Sequence, residues 1–407
     1  MAILGTIVPS CVKNDPEFTN NEVRIGFDSP MLYTSANTKV SVFGEYGSFK
    51  YGTMDYTYPR EEKIKIFAVH HEGLFVDKTW EQHTKAEFNG AVIRYDSGFD
   101  AWLPKTDEGD YYYFHGGHKL SYAAMSPADL THKEAASTSS TTSTTSTSFL
   151  IDESYASEVT VSFGNTGLTI ENFQVSENPD NHFELLYTEI HENKVPSDKV
   201  NNAEYYSGLP IQFKHALSSI HFSLVKSSSI TQDIVLTGIK MSNIQCKGSF
   251  NQNIQNSVSN PSWTIPVANQ LKHSFYPYQA ATDQSGAIVG GVSFPPNPQY
   301  ISSLLTQDET DNKGTSHPLL LIPQTIANSD IEIRIDYTVD GTPTYKVIEF
   351  NNLSFSDING QAVTSWLPGY RYTFRLKYSD ETHLNDIIYF SPSTDPWPDS
   401  KIIEINL

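Results

Sequence analysis

Residues of the types that do chemistry are thinly spread along this chain of 407 residues. His115-Gly116-Gly117-His118 places two imidazoles three apart, a spacing that converges on a metal only on a helix, and the intervening glycines favour a turn instead. His70 and His71 are adjacent in a strand-like run and so point to opposite faces. Asp308, Glu309, Asp311 and Asn312 resemble half a calcium loop, yet Lys313 stands where the loop needs glycine and Leu319 where it needs a bidentate glutamate. No Gly-x-Ser-x-Gly elbow, His-Glu-x-x-His helix, phosphate loop or dinucleotide fingerprint occurs. A glycosidase-like pair among 47 carboxylates would show only in spatial separation. The expectation is a non-enzymatic protein without metal or cofactor.

Two other chemistries remain. Cys11 follows the apolar run Met1 to Ser10 and precedes the polar Lys13, Asn14, Asp15 and Glu17, the pattern at the end of a lipoprotein signal. Cleavage after Ser10 would expose Cys11 for lipidation, with the polar stretch as a tether. No basic segment precedes this short apolar run, which suggests a start codon assigned too late. The second chemistry is stacking. Tyr111, Tyr112, Tyr113 and Phe114 form a candidate platform for sugar rings or another protein, although on a strand two of the four face the core.

Charge narrows the partners. Lys+Arg 27 against Asp+Glu 47 gives a formal net charge of -20, which repels nucleic acid and anionic lipid. Only Cys11 and Cys246 are present, so a disulfide framework is excluded. No run reaches the roughly 20 apolar residues of a membrane helix.

The elements that would carry these residues are strands. Ile331, Ile333, Ile335, Tyr337 and Val339 alternate with polar residues, so one face is buried and the other wet. Asp340-Gly341 supplies a tight turn, and Tyr345, Val347, Ile348 and Phe350 return as the partner strand. Tyr370, Tyr372, Phe374, Leu376 and Tyr378 alternate with Arg371, Thr373, Arg375 and Lys377 in a second half-buried strand, after a turn at Asn359-Gly360. Similar segments run over 23–27, 64–70, 91–95, 111–114, 159–163, 220–224 and 387–390. The best helical candidate is the short 300–305. Ser137 to Ser148 are all Ser or Thr and read as a flexible surface loop, because they bury too little apolar surface to offset ordering. The fold class expected is all-β. The Pro- and Asn-rich region near 193–210 is the better domain boundary: 1–21 signal remnant and tether, 22–205 first β-sandwich, 206–407 second.

Several segments in order resemble the fimbrillin family, the subunits of type V pili of Gram-negative gut and oral bacteria. They are Ile64-Lys65-Ile66-Phe67-Ala68-Val69-His70, then Asp100-Ala101-Trp102 ahead of Tyr111 to Phe114, then Leu120-Ser121-Tyr122-Ala123-Ala124-Met125-Ser126-Pro127. Phe213-Lys214-His215-Ala216-Leu217 follows, the most specific piece, and then Leu321-Ile322-Pro323-Gln324 and Ser365-Trp366-Leu367-Pro368-Gly369-Tyr370-Arg371-Tyr372.

The resemblance implies two tandem transthyretin-like Greek-key β-sandwich domains and export as a palmitate-bearing outer-membrane lipoprotein precursor. It also implies assembly into a fimbrium with other subunits by donor-strand exchange, for cell adhesion to a host or bacterial receptor. A protease is implied to cut after a basic residue beyond the first strand, Glu22-Val23-Arg24-Ile25-Gly26-Phe27. The candidates are Lys39, Lys50 and Arg60; Lys39 lies nearest the family's position, where arginine is commoner. The donor would come from 387–407, with Ile403, Ile405 and Leu407 on one strand face. The competing readings are an ordinary edge strand for that segment and, for the whole chain, a surface glycan-binding lipoprotein using Tyr112 and Trp80.

Overall fold

The computed structural model describes residues 27, 31–32, 63–75, 85–98, 101–104, 118–128, 130, 159–179, 182–195, 201–202, 205–206, 208–255, 258–267, 271–305, 315–316, 319–353, 355, 362–379 and 399–406. Among them the architecture is all-β, with a helical turn at Ile301–Leu305 where the sequence expects one.

The first sheet has eight strands. Its path runs Met31–Leu32, Gln212–His215, Leu186–Thr188, Lys119–Ser126, Lys63–His71, Lys85–Asp96 and Ala101–Pro104, with His191–Lys194 also against Lys119–Ser126. The second has five: Gln299–Tyr300, Ser218–Lys226, Tyr370–Tyr378 and Asp399–Asn406 in order, plus Leu319–Leu321. The third has six, ordered Thr315–Ser316, Lys272–Gln279, Ile234–Gln245, Glu332–Val339 and Thr342–Glu349, with Val292–Ser293 on Ile234–Gln245. A fourth sheet of four strands joins chain halves by pairing Gly167–Gln174 with Lys247–Asn251.

Alternation builds these sheets. In Glu332–Val339 the buried residues are Ile333, Ile335 and Tyr337, and the turn to Thr342–Glu349 is made by Asp340 at φ 49° and Gly341 at φ 78°. Two successive positive φ angles give the mirror-image turn whose twist matches a hairpin. Phe350 does not continue the returning strand; it opens the short 3-10 segment Phe350–Asn352.

Polar devices mark the passages between sheets. Phe213 lies in the first core, Lys214 pairs with Glu189, and the Ala216 carbonyl accepts the Trp263 indole N–H at 2.7 Å before Ser218 starts the second sheet. The Gln324 amide replaces a strand partner for Gln245, accepting its N–H at 3.1 Å and donating to its carbonyl at 3.2 Å. Gly369, at φ 76°, turns the chain so that the Tyr372 hydroxyl accepts from Leu367 N–H at 2.9 Å and donates to Ser365 O at 3.2 Å. Gln252, fully buried, accepts from Leu168 N–H and donates to Thr188 O and Ser259 Oγ.

One expectation changes. The polar face of Tyr370–Tyr378 is not wet at its start: Arg371 and Thr373 are each 1% exposed. They lie opposite Ser219 and His221 of Ser218–Lys226, also buried, so this end of the second sheet is covered on both sides.

Candidate functional site

Most strand pairs are antiparallel, and those that are parallel gather around the two ends of the chain. Met31–Leu32 runs parallel to Gln212–Phe213, Tyr370–Tyr378 runs parallel to Ser218–Lys226, and Asp399–Asn406 runs parallel to Tyr370–Tyr378. A parallel pair needs a long connection, because a tight hairpin cannot make it. Here the connections span much of the molecule.

At the first end, Phe27 closes the eight-stranded sheet. Its N–H donates to Trp102 O and its carbonyl accepts from Trp102 N–H, both at 2.8 Å, while a parallel bridge joins it to Leu209 on the other side. The two extremes of the sheet therefore meet at one residue. Phe27 is 0% exposed, and its ring lies edge-on to Tyr122 with centroids 5.1 Å apart. The Tyr122 hydroxyl donates to Pro210 O at 2.5 Å, which fixes that ring. Trp102, Leu209, Ile211 and Phe213 complete the surroundings in one apolar cluster. Full burial of a phenylalanine contributes roughly 1.5–3 kcal/mol. The approach is close enough to require Gly208: a Cβ there would sit 2.3 Å from the Phe27 backbone. Removing this segment would break both backbone hydrogen bonds to Trp102 and uncover the apolar cluster around Phe27.

At the second end, Asp399–Asn406 lies at the margin of the five-stranded sheet. Its register sets Ile403 opposite Phe374 and Ile405 opposite Leu376, and the pairing runs from Tyr370↔Asp399 to Lys377↔Asn406. Among the described residues it has a strand partner on one side only.

Between the two ends lies a buried polar cluster. His215, on the strand that holds Met31–Leu32, and Arg371, on the strand that holds Asp399–Asn406, are 5% and 1% exposed. His221 Nε2 is 2.7 Å from Ser219 Oγ. Burial, helped by the Arg371 guanidinium, holds His215 down to about 3 and pushes His221 well below the ordinary imidazole range. Glu184 Oε2 is 3.5 Å from His215 Nδ1, too far for a strong charge-assisted bond, so desolvation wins. Beside the first core the half-buried His191, stacked on Tyr122 at 4.8 Å, is lowered to about 4 by burial and then by Lys194.

Cys11, Lys39, Lys50, Arg60, Leu407, Trp80, the Tyr111–Phe114 run, Ser137 to Ser148 and the 308–312 acidic run lie outside the described residues. His70 and His71 are both buried, with His71 Nε2 2.8 Å from Ser121 Oγ, because the end of their strand is covered on both faces. His118 Nε2 stands 3.5 Å from Glu72. No group of three potential metal ligands occurs among the described residues. Cys246 is a buried thiol, raised well above the ordinary range by desolvation, and its Sγ donates to Ile244 O at 3.2 Å. The polar cluster at the sheet crossing escapes sequence reasoning, since serine, histidine and arginine on alternate strand positions look solvated. Its one signal is the Phe213–Leu217 motif, which carries His215.

The family model described as fimbrillin-like matches residues 53–397. Among solved structures the chain is similar to a fimbrial protein from Bacteroides vulgatus, at 13% identity and a TM-score of 0.47, covering 88% of this chain and 96% of that one. It is also similar to a candidate cell adhesion protein from Bacteroides uniformis, at 12% identity and a TM-score of 0.42, covering 89% and 94%. A third, from Bacteroides ovatus, shares 10% identity with a TM-score of 0.41 over 88% and 92%. A search of curated protein sequences finds no match.

Proposed function

The chain belongs to the fimbrillin-like family, and on that premise we propose that it is a subunit of a type V pilus, displayed at the cell surface for adhesion. The precursor is a lipoprotein held in the outer membrane through Cys11, and its two halves act as tandem transthyretin-like sandwiches. Cleavage after Lys39, Lys50 or Arg60 frees the segment that carries Phe27 and Met31–Leu32. A neighbouring subunit then fills the vacated trough with its C-terminal strand, using Ile403, Ile405 and Leu407.

The observation that supports this reading most directly is Phe27 itself. It is fully buried, bonded to Trp102 and bridged to Leu209, yet along the chain residues 33–62 separate it and Met31–Leu32 from the next strand of the sheet, Lys63–His71. One cut in that connection makes an integral strand removable, and an open sheet edge beside an apolar trough is the physical requirement for strand addition.

The test is brief treatment of the purified chain with an Arg/Lys-specific protease, followed by N-terminal sequencing and electron microscopy. A single cut after Lys39, Lys50 or Arg60 that yields rods or ladders is the expected result. Cutting without assembly would remove the polymerising role. For the anchor, Cys11→Ala should abolish palmitate labelling and membrane partition; a variant still labelled would contradict lipidation at that position.

A further inference from the structure

The outward face of the six-stranded sheet carries a row that neither strand addition nor anchoring uses. Ile239, Met241, Ile333 and Ile335 point to the core, so Lys240, Arg334 and their lateral neighbours point out. Along this face Tyr276 is 43% exposed with the Lys240 ammonium 5.8 Å from its ring centroid, and Tyr345 is 59% exposed with the Arg334 guanidinium 4.4 Å from its centroid. Lys240 and Arg334 are direct cross-strand partners, as are Asp336 and Tyr345. The Asp336 carboxylate accepts from Arg334 Nε at 2.9 Å and from Nη2 at 2.8 Å. Tyr276 and Tyr345 stand three strand spacings apart, roughly 14 Å.

We propose that this face binds a carboxylated glycan, with sugar rings on Tyr276 and Tyr345, the sugar carboxylate on Lys240, and ring hydroxyls bridging Arg334 and Asp336. An ordinary solvated sheet face does not set two cations directly opposite each other, because that juxtaposition is destabilising. Nor does it flank them with two tyrosine rings this exposed, each with one of those cations over it. The arrangement is also wrong for a protein partner, since the centre of a protein interface is depleted of charge whereas this centre is charged and its rings lie at the margins. A sugar meets both parts: its C–H face stacks on an aromatic ring, and its hydroxyls match a carboxylate beside a guanidinium. The acid preference rests on Lys240 alone. Asp336 and Glu332 offset Arg334, while Lys240 makes no ion pair among the described residues.

Titration calorimetry on the full, uncut chain with 3′-sialyllactose, hexagalacturonate and neutral cellohexaose tests this. Binding is read on monomer, so it stands or falls separately from pilus assembly. The expected result is binding of at least one acidic oligosaccharide with a Kd below about 1 mM, weakened by salt. Tyr276→Ala and Tyr345→Ala should each weaken it about tenfold, and Lys240→Ala should erase the preference over cellohexaose while leaving the melting temperature unchanged. No binding of either acidic probe at about 5 mM, or equal binding by the double tyrosine variant, would overturn the proposal. Cellohexaose binding as tightly as the acidic probes would overturn the role given to Lys240.

Discussion

The two ends of the chain are held in opposite ways. The first is two-sided: Phe27 is bonded to Trp102 and bridged to Leu209, and its ring is lost from solvent. The second is one-sided among the described residues, Asp399–Asn406 lying along Tyr370–Tyr378 at the margin of the sheet. A two-sided strand closes a structure and cannot leave without opening it. A one-sided strand can peel away from a sheet that still keeps its other pairings. Under the proposed assembly, the first end is the part that must be cut out and the second is the part free to move.

Acid is the largest expected perturbation, and it bears on both ends, because His215 and His221 sit in the strands between them. An unfolded histidine takes its proton near 6.5, whereas folded His215 stays neutral down to about 3. The unfolded chain therefore binds more protons below 6.5, so the stability due to this ring is whole above that pH and is lost as pH falls toward 3. The loss is roughly 1.4 kcal/mol per pH unit, or about 3 kcal/mol by pH 4.5, and His221 adds to it in the same direction. Urea titrations at pH 7 and 4.5 read the sum, and a flat profile would show that the cluster is solvated. His191 sharpens the comparison. Burial beside Tyr122 lowers it in the same direction as His215, so acid loads the Phe27 end as well.

Phe27→Ala comes next. Deleting a fully buried ring costs about 3–4 kcal/mol, read as a lower urea midpoint with unchanged slope. A loss under about 1 kcal/mol would mean that the first end is not integral, and the contrast would fail. Gly208→Ala acts on the same contact more gently. Its Cβ meets backbone at 2.3 Å, so the Phe27 segment must shift, at a cost of about 1–3 kcal/mol. The same variant should be cut faster between Phe27 and Lys63; unchanged cleavage would dissociate the contact from access to that connection.

Local patterns made much of this visible in advance. The Glu332–Val339 hairpin follows from strict alternation closed by Asp340-Gly341, and the Ile301–Leu305 turn from the one short non-alternating run. The trough residues are legible one by one, since Trp102, Tyr122 and Phe213 sit inside recognisable strand motifs. That they converge on Phe27 is not, because register between segments so far apart in sequence depends on the whole sheet and leaves no periodic trace. The burial of Arg371 and Thr373 was hidden for a related reason. Alternation tells which face is polar, whereas only tertiary packing tells whether that polar face meets water. The Lys240–Arg334 row is similarly invisible, being lateral neighbours on strands joined only in space.

The finest test of the contrast is hydrogen exchange. In Asp399–Asn406 the amides turned toward Tyr370–Tyr378 are bonded, but among the described residues the strand has no second neighbour, so it can open without disturbing the rest of the five-stranded sheet. Opening at Phe27 must break both hydrogen bonds to Trp102, the bridge to Leu209 and the contact with Tyr122 together. The bonded amides of 399–406 should therefore exchange at least about tenfold faster than Phe27, a difference of about 1.4 kcal/mol in opening free energy. Equal protection would make the C-terminal strand as integral as the N-terminal one. Its departure would then cost as much as it gains in a neighbour's trough, and donation by that strand would lose its driving force.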